Sequence, residues 1–294
     1  MTNLTRRIFA AAVAFVMIFS LAACGSSSSN SGSEEAKSGV EDGVLTIAME
    51  CAYAPYNWAQ PDDSNGAVPV SGTDFYANGY DVMTAKAICE HNGWELEIKQ
   101  LDWDSLIPAV QSGIVDAVIA GQSMTAERME SVDFAGPYIR ATFCCLVKSG
   151  SKYENATGIS DFAGATCTSQ SGTVWYDSCL PQMQGVVVQA PSESAPAMLM
   201  AVESGVVDFV CCDIPTALGA VQVYPDLVLL NFAGTDDDFA PSQEDSDVGI
   251  SVRKGNTVLK DAIDDYLKDK TDDDFNELMD YAVSIQPISE PISD

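Results

Sequence analysis

Two residue types that many catalytic and metal sites require are scarce or unfavourably spaced in this sequence. Its 294 residues include a single histidine, His91, and no two cysteines in the C-x-x-C spacing. Zinc sites and histidine-dependent catalytic triads depend on such residues, so the sequence offers little material for either. We therefore expect no metal and no cofactor.

Basic residues are scarce as well. The chain has 14 Lys and Arg against 43 Asp and Glu, and a formal net charge of −29. Contacts to a phosphate backbone need clustered basic side chains, so the sequence argues against a nucleic-acid partner. The simplest interpretation of the acidity is a well-solvated surface.

The first residues follow the plan of an export signal. Two arginines precede an apolar run over 8–19, and small residues follow it. The run is shorter than the roughly 20 residues that a transmembrane helix needs. The stretch LAAC at 21–24 resembles the lipobox of bacterial lipoproteins, in which the cysteine is acylated. These features predict a signal peptide over 1–23 and a lipid on Cys24 that anchors the protein at the extracytoplasmic face of the bacterial cell membrane.

Nine cysteines in an exported chain would suggest disulfides, but their placement argues otherwise. Cys144, Cys145, Cys211 and Cys212 lie in apolar, strand-like runs, where adjacent side chains point to opposite faces. We expect most of the cysteines to be small buried hydrophobic residues. Whether any of the eight beyond Cys24 form a pair stays open.

The rest of the chain divides into a tether and two α/β series. Residues 24–42 are rich in Ser, Gly and Glu without apolar periodicity, which predicts a flexible tether. From residue 43 short apolar strands alternate with helical segments such as 80–92, and a second series begins at 141. Strands that alternate with helices imply βαβ units. We expect an α/β fold of two Rossmann-like lobes with mostly parallel sheets.

One motif occurs twice, once in each series. AVQSGIVDAVIAG at 109–121 and AVESGVVDFVCCD at 201–213 are identical at seven of thirteen positions. Each copy ends at the carboxyl end of a predicted strand, where ligands of open parallel sheets bind. The alternative is that the motif is only a favoured way to turn from a helix into a strand.

The residues after the first copy point to an anion. Ser123 or Thr125 can cap a helix that starts at 126–132, and Arg128 then lies in its first turn. A cation is unfavourable there unless an anion accompanies it, and a carboxylate fits the fork of a guanidinium. The alternative is a surface arginine compensated by Glu127 or Glu130.

The second copy ends in the opposite charge. Asp213 follows a buried strand directly and would complement an ammonium group. A carboxylate site in one lobe and an amine site in the other match a free α-amino acid. Asp213 can also cap the following helix, which is compatible with the ligand role. Tyr53 and Trp103 follow strands, which favours apolar pocket walls, and Thr173 offers a hydroxyl donor.

These stretches together resemble the family 3 extracellular solute-binding proteins of amino-acid ABC transporters, over about 43–285. The motifs that carry the resemblance are GYDVMTAKAI, WDSLIPAVQSGIVDAVIAGQSMTAERMESVDFAGPY, SQSGT, VESGVVDFVCCD and VGISVRKGN, in this order. The resemblance implies the type II periplasmic-binding-protein fold, in which two lobes joined by a two-strand hinge close over a ligand in the cleft.

The resemblance also implies domain boundaries. The two crossings fall near Arg140–Phe143 and Asp245–Val252, so the first lobe is discontinuous. It consists of 43–140 plus 252–294, and the second lobe consists of 143–246.

The family's ligand contacts match residues of this sequence one by one. The resemblance implies that Ser123 and Arg128 bind the carboxylate, with Thr173 as the hydroxyl donor of the second lobe. It implies that Asp213 and the Gly121 carbonyl bind the amine. The remaining matches are the cleft aromatics Tyr53 and Trp103, and Glu50, which stands where binders of basic amino acids often carry an acid.

Two segments depart from the family's pattern. A long polar loop over 59–78 can reshape the mouth of the pocket. Val174 and Trp175 follow the SGT stretch, where the family usually has hydroxyl-bearing and acidic residues. Both departures concern the specificity for the ligand's side chain.

The resulting prediction is a non-enzymatic, monomeric, lipid-anchored protein that binds a polar or basic amino acid and delivers it to the permease of an ABC importer. One alternative is an enzyme on the same scaffold, for instance a dehydratase of a carboxylated substrate with Glu50 or Asp213 as acid or base. Another is a sensor ectodomain that signals through a membrane partner.

Overall fold

The structure is a computed structural model that describes residues 38–287. The predicted signal peptide, Cys24 and most of the predicted tether lie outside the described residues. No helix among residues 38–287 is long and apolar enough to cross a membrane.

Strands and helices alternate along the described residues. The strands are β1 (Val44–Met49), β2 (Ala52–Tyr53), β3 (Asn57–Gln60), β4 (Val68–Pro69), β5 (Tyr76–Asn78), β6 (Glu95–Gln100), β7 (Ala117–Val118), β8 (Val132–Arg140), β9 (Phe143–Lys148), β10 (Thr166–Thr168), β11 (Val187–Val188), β12 (Phe209–Asp213), β13 (Leu227–Leu230) and β14 (Asp247–Arg253). The α-helices are α1 (Tyr80–Asn92), α2 (Trp103–Ser112), α3 (Ala126–Ser131), α4 (Ala195–Glu203), α5 (Ile214–Val223), α6 (Gln243–Ser246), α7 (Thr257–Leu267) and α8 (Asp272–Ile285). Short 3₁₀ turns lie at Ser64–Gly66, Ile159–Phe162 and Leu180–Gln182, and a π turn at Trp175–Cys179.

Two five-stranded sheets of the same design form the two lobes. Their strand orders are β6-β1-β7-β14-β8 and β11-β10-β12-β9-β13. Helices α1, α2 and α7 pack on the first sheet, and α4 and α5 pack on the second. The α/β class with two lobes is therefore confirmed.

Four of the five strands in each sheet run in the same direction, in agreement with the predicted mostly parallel sheets. In each sheet the first three strands pair in parallel, and the other two pairings are antiparallel. The antiparallel direction enters with β9 and β14, the two strands that arrive from the other lobe. Such strands do not belong to a βαβ unit, and the handedness rule for parallel crossovers does not apply to them.

The two connections between the sheets lie side by side. The Ala141 N–H donates to Ser246 O at 2.8 Å, and Arg140 Nε donates to Asp247 Oδ1 at 3.0 Å. The first connection runs from β8 to β9 through Ala141. The second changes sheets at Ser246, and β14 belongs to the first sheet from Asp247 onwards.

Helix α1 shows how the apolar spacing produces a buried face. Val82, Ala85, Ile88 and Cys89 are all buried against the first sheet. The helix ends at Gly93, which has a φ of +74° and donates its N–H to Cys89 O. Glycine adopts this left-handed conformation without steric cost, which explains the stop at that position.

The predicted polar loop over 59–78 instead contributes to a small antiparallel sheet with the order β2-β3-β5-β4. Gln60 is buried there, and its amide nitrogen donates to Asp62 O and Ser64 O at 2.9 Å. The Gln60 backbone pairs with Tyr76 in the same sheet, and its side chain fixes the turn that follows β3. The strands of the small sheet have only two to four residues, too few for an alternating apolar pattern to signal them. The bridge between Val70 and Ile98 ties the small sheet to β6.

The eight cysteines in residues 38–287 are buried and unpaired, as expected of small hydrophobic residues. Cys144 and Cys145 on β9 lie opposite Cys212 and Cys211 on β12. The Sγ atoms of Cys144 and Cys212 are 4.0 Å apart, about twice the length of a disulfide bond.

Candidate functional site

A small cavity lies between the two lobes, where β7 and β12 end. Its volume is about 20 Å³, so the opposite walls nearly touch. Seven of the eight residues that the sequence analysis singles out line it, and Glu50 is the exception. The described lining residues are Tyr53, Trp103, Gly121, Ser123, Arg128, Ala141, Phe143, Gln170, Thr173, Val174, Trp175, Asp213 and Val248.

Arg128 holds one end of the cavity. It lies in the first turn of α3, where Thr125 Oγ1 accepts its N–H at 3.3 Å, so Thr125 and not Ser123 caps the helix. The guanidinium donates to Ser123 O and Gly172 O, each at 2.8 Å, and lies 5.2 Å from the centre of the Trp103 ring. Because Gly172 belongs to the second lobe, this side chain spans the cleft.

The charge of Arg128 dominates this end of the cavity. Burial lowers its pKa to about 10, and the guanidinium therefore stays protonated at neutral pH. Helix α3 has only six residues, so its dipole adds little. The attraction for an anion comes from the guanidinium itself and not from the helix start on which the sequence argument relied.

Two hydroxyl groups accompany the guanidinium. Ser123 is buried and lies in an isolated bridge to Val248. Thr173 Oγ1 donates to Gln170 O at 2.7 Å, which fixes the turn that presents the Gly172 carbonyl. The arginine, the serine and the threonine thus come from both lobes to one end of the cavity.

Asp213 supplies the opposite charge. It is the last residue of β12, and its Oδ1 accepts the Thr216 N–H at 2.8 Å, so it does cap α5. Its Oδ2 accepts a hydrogen bond from Tyr53 Oη at 2.9 Å across the cleft. Burial raises the pKa of the Asp213 carboxyl, and the bonds from Thr216 and Tyr53 oppose that shift.

Gly121 lets the aromatic rings close against the strand end. Its φ is +63°, and an added Cβ would lie 2.6 Å from Tyr53 Cε1. Tyr53 stacks on Tyr56 with ring centres 4.6 Å apart, and the Trp175 ring meets Tyr53 edge-on at 5.7 Å. Trp175, one of the departures from the family pattern, is therefore part of this wall.

A buried network behind Gly121 was missed by the sequence analysis. Tyr138 Oη accepts the Gly121 N–H at 3.0 Å and donates to Asp81 Oδ1 at 2.6 Å. Asn57 Nδ2 donates to Asp81 Oδ2 at 2.8 Å. Desolvation nevertheless raises the pKa of Asp81 to about 6. The sequence does show Asp81 as an acidic residue in the first turn of the GYDVMTAKAI helix. Asp81 alone did not identify its partner Tyr138, which lies 57 residues away.

Glu50 lies behind the lining and not in it. It follows β1 and is buried, and Gln170 Nε2 from the second lobe donates to its Oε1 at 3.4 Å. Desolvation raises the pKa of Glu50 to about 7, with a further contribution from the negative charges of Asp102 and Asp104. Gln170, which does line the cavity, thus connects this carboxyl to it.

No group of three or more His, Cys, Asp or Glu side chains with the geometry of a metal site occurs among residues 38–287. The chemistry that the lining provides is that of hydrogen bonds and two opposite charges.

Residues 45–281 match the family described as "Bacterial extracellular solute-binding proteins, family 3". The chain belongs to this family. Solute binding is therefore the activity of this fold, and the resemblance inferred from the motifs is confirmed.

Several relatives of this solute-binding protein have been described. Over 162 residues it is 33% identical to the "Arginine-binding extracellular protein ArtP" of Bacillus subtilis, a match that spans 55% of this chain and only about half (54%) of the relative's length. It is 26% identical to the "Probable histidine-binding protein" of Neisseria gonorrhoeae, and this match covers 84% of both chains.

A solved structure shares the fold of this solute-binding protein. It is an amino acid ABC transporter substrate-binding protein, AbpA, from Streptococcus pneumoniae, bound to L-arginine. The TM-score is 0.68 at 27% identity, and the match covers 84% of this chain and 98% of the other.

Proposed function

We propose that this solute-binding protein binds a free α-amino acid with a basic side chain in the cleft between its lobes. The observation that carries the proposal is the placement of Arg128 and Asp213 in the lining of one cavity. They come from different lobes and have opposite charges. A zwitterion has the matching pair of charges on one carbon atom.

The carboxylate of the ligand would bind at the Arg128 end. The guanidinium now donates to the carbonyl oxygens of Ser123 and Gly172. A carboxylate is a stronger acceptor than a carbonyl, and a bidentate pair with arginine has the best geometry. The hydroxyls of Ser123 and Thr173 supply further donors at this end.

The ammonium group of the ligand would bind at the Asp213 end. A cation beside Asp213 favours its ionised form and offsets the raised pKa that burial causes. The Gly121 carbonyl is the second acceptor. Tyr53 would exchange its bond to Asp213 for one that includes the ligand.

Glu50 supports a basic side chain on the ligand. Its carboxyl is buried with Gln170 as its hydrogen-bond partner across the cleft, and desolvation raises its pKa to about 7. A guanidinium or ammonium group that displaced Gln170 would restore the charge of this group. Relatives described as arginine-binding and histidine-binding agree with a basic ligand.

Binding would require the lobes to separate and close again. The cavity of about 20 Å³ has room for about one water molecule, and an amino acid is several times larger. The two adjacent connections at Ala141 and Ser246 are where the lobes can rotate. A ligand that contacts both lobes shifts the equilibrium towards the closed arrangement.

The decisive experiment is isothermal titration of the purified protein with L-arginine, L-histidine, L-glutamine and L-glutamate. The proposal expects saturable binding of the basic amino acids and its loss in Arg128→Gln. Arg253→Gln, which removes a guanidinium outside the cavity lining, is the matched control and should bind normally. Normal affinity in Arg128→Gln would refute the proposed binding site. The absence of binding for all four amino acids would refute the proposed class of ligand.

The same samples test the enzyme alternative. Mass spectrometry of the ligand after prolonged incubation should return it unchanged. A chemically altered ligand would favour a reaction on this scaffold, with Asp213 or Glu50 as the acid or base.

Anchoring and delivery complete the proposal. Acylation at Cys24, after removal of residues 1–23, would hold the binding protein at the extracytoplasmic face of the membrane, where it delivers its ligand to the permease of an ABC importer. Metabolic labelling with an alkynyl fatty acid tests the anchor. Label is expected in the native chain and not in Cys24→Ser, and an unlabelled native chain would refute it.

A further inference from the structure

A second cavity, which we call the side cavity, lies between the small sheet and the helices of the second lobe. Its volume is about 220 Å³, roughly ten times that of the cleft cavity. Residues of the small sheet and its neighbours form one wall: Cys51, Ala52, Ala54, Trp58, Ala59, Gln60, Pro61, Phe75 and Gln100. Residues of α4, α5 and the end of α8 form the other: Ala195, Pro196, Leu199, Gly219, Ala220, Val223, Tyr224, Gln286 and Pro287.

The side cavity and the cleft are separate sites that share two elements. No described residue lines both cavities. Ala52 and Tyr53 are neighbours on β2 and point to opposite faces, so one reaches the side cavity and the other reaches the cleft. Helix α5 begins with Asp213 at the cleft and presents Gly219 and Val223 to the side cavity.

The lining of the side cavity selects for an uncharged ligand. None of its described residues is charged, in a chain with 43 acidic residues. Moving an ionised group from water into such surroundings without a partner is strongly unfavourable. Ionised amino acids, sugar phosphates and polyamines are therefore poor ligands here.

The shape and the polar groups of the lining favour an aromatic ring. Trp58 and Phe75 on one wall face Leu199 and Val223 on the other. A purely apolar cavity of about 150 Å³ binds benzene, and the side cavity is larger. Aromatic walls pair favourably with aromatic ligands, beyond the effect of the buried area.

Gln286 supplies one directional contact. It is 5% exposed, and its amide nitrogen donates to Gln222 Oε1 at 3.4 Å. A Cβ at position 219 would lie 2.7 Å from Gln286 Oε1, so the glycine there makes room for the amide in the wall. The Gln286 carbonyl oxygen can accept a hydrogen bond from an N–H or O–H of a ligand.

We propose that the side cavity binds a small, uncharged aromatic molecule with one hydrogen-bond donor, of the size and polarity of indole. The assignment is independent of the amino acid that the cleft binds, because the two cavities have different linings.

The test is isothermal titration of the full chain with indole as the probe. We expect one saturable site. Leu199→Trp fills the cavity from α4 and should weaken binding by at least about tenfold. Ala197→Trp adds the same side chain on the exposed face of the same helix and should bind like the native protein. Should Leu199→Trp fail to fold, Ala59→Trp fills the cavity from β3 and decides the question.

Two further measurements can overturn the proposal. Benzyl alcohol and benzoate have similar sizes and differ in charge, and benzoate should bind at least about tenfold more weakly. Equal affinities would refute an uncharged site. Absence of saturable indole binding, or unchanged binding in both filled variants, would show that the side cavity is not the site.

Discussion

The two copies of the repeated motif occupy the same place in the two lobes. The first copy joins α2 to β7 and the second joins α4 to β12, and each strand is the central one of five. Gly113 and Gly205 end the two helices with φ of +77° and +75°. Ser112 Oγ and Ser204 Oγ each donate to a carbonyl four residues back in their helix. Both copies therefore build the same helix end.

The shared aspartates also have the same role. Asp116 Oδ2 accepts the Thr46 N–H at 2.9 Å, and Asp208 Oδ2 accepts the Thr166 N–H at 2.7 Å. In both lobes the carboxylate thus accepts the N–H of a threonine in the neighbouring parallel strand. The interpretation of the motif as a favoured turn is correct for its identical positions.

The last residue of each copy differs, and that residue lines the cleft. Gly121 provides room for Tyr53, and Asp213 provides a carboxylate. The comparison teaches that the identical residues fix the shared structure of the two copies, whereas the divergent residues line the cleft, where the proposed function places the ligand.

The neighbouring strands extend the comparison. The strand registers are Ile47 with Ala117 in the first sheet and Cys167 with Phe209 in the second. Ala117 and Phe209 hold the same position of the motif, so Ile47 and Cys167 are equivalent positions in the two lobes. Glu50 and Gln170 each lie three residues further along the chain and are therefore equivalent too. These two side chains meet across the cleft at 3.4 Å. One lobe offers an acid where the other offers an amide.

The largest effect should follow from neutralising the divergent aspartate. Asp213→Asn keeps an N-cap for α5 and removes the charge, so the affinity for L-arginine should fall about 100-fold, as for a desolvated ligand charge left unpaired. Titration calorimetry measures the loss. Asp208→Asn, on the same segment, is the matched control and should stay within about twofold. Equal losses in both variants would mean that the charge acts through the fold and not through the ligand.

The shared aspartates should govern stability instead. Asp116→Ala and Asp208→Ala each leave the N–H of a threonine in the neighbouring strand without its acceptor, at a cost of roughly 2 kcal/mol in the free energy of unfolding. Urea denaturation followed by circular dichroism measures both. Because the two aspartates share the same geometry, we expect closely similar losses of stability in the two variants. A loss of stability in only one variant would show that the two copies are not equivalent.

Glu50 should make binding of a basic amino acid depend on pH. Its raised pKa of about 7 means that the carboxyl must release a proton before it can pair with a cation. The affinity for L-arginine should therefore fall about tenfold between pH 8 and pH 6. Titration calorimetry at both pH values measures the change, and Glu50→Gln should abolish it. A native affinity that is constant over this range would refute the role of Glu50.

The fold was largely predictable because its signals are local. The apolar spacing of α1, the glycine stop at Gly93 and the alternation of strands with helices all depend on residues close in sequence. The antiparallel pairings of β9 and β14 were not predictable, since nothing within a strand reveals that it arrives from the other lobe. The small sheet escaped notice because its strands have only two to four residues, too few for an alternating apolar pattern to signal them.

The candidate site divides in the same way. Arg128 and Asp213 could be singled out because the first follows one copy of the repeat and the second is the last residue of the other copy. The contact between Tyr53 and Asp213 joins residues 160 positions apart, and the network of Asp81 with Tyr138 spans 57. Such contacts depend on the packing of whole lobes, and they cannot be inferred from the spacing of residues in the sequence. Glu50 was placed at the right strand end, but its position behind Gln170 follows from the closed cleft.

The smallest effect should come from the repeated serines. Ser112 Oγ donates to Pro108 O at 2.8 Å, and Ser204 Oγ donates to Met200 O at 2.6 Å, both near exposed helix ends. Because water can replace an exposed hydroxyl, Ser112→Ala and Ser204→Ala should each change the free energy of unfolding by no more than about 0.5 kcal/mol. Urea denaturation of the two variants side by side measures the pair. A difference above about 1 kcal/mol between the two variants would show that identical residues contribute unequally to the stability of the two copies. The distinction between a shared scaffold and a divergent site would then not hold even for the serines.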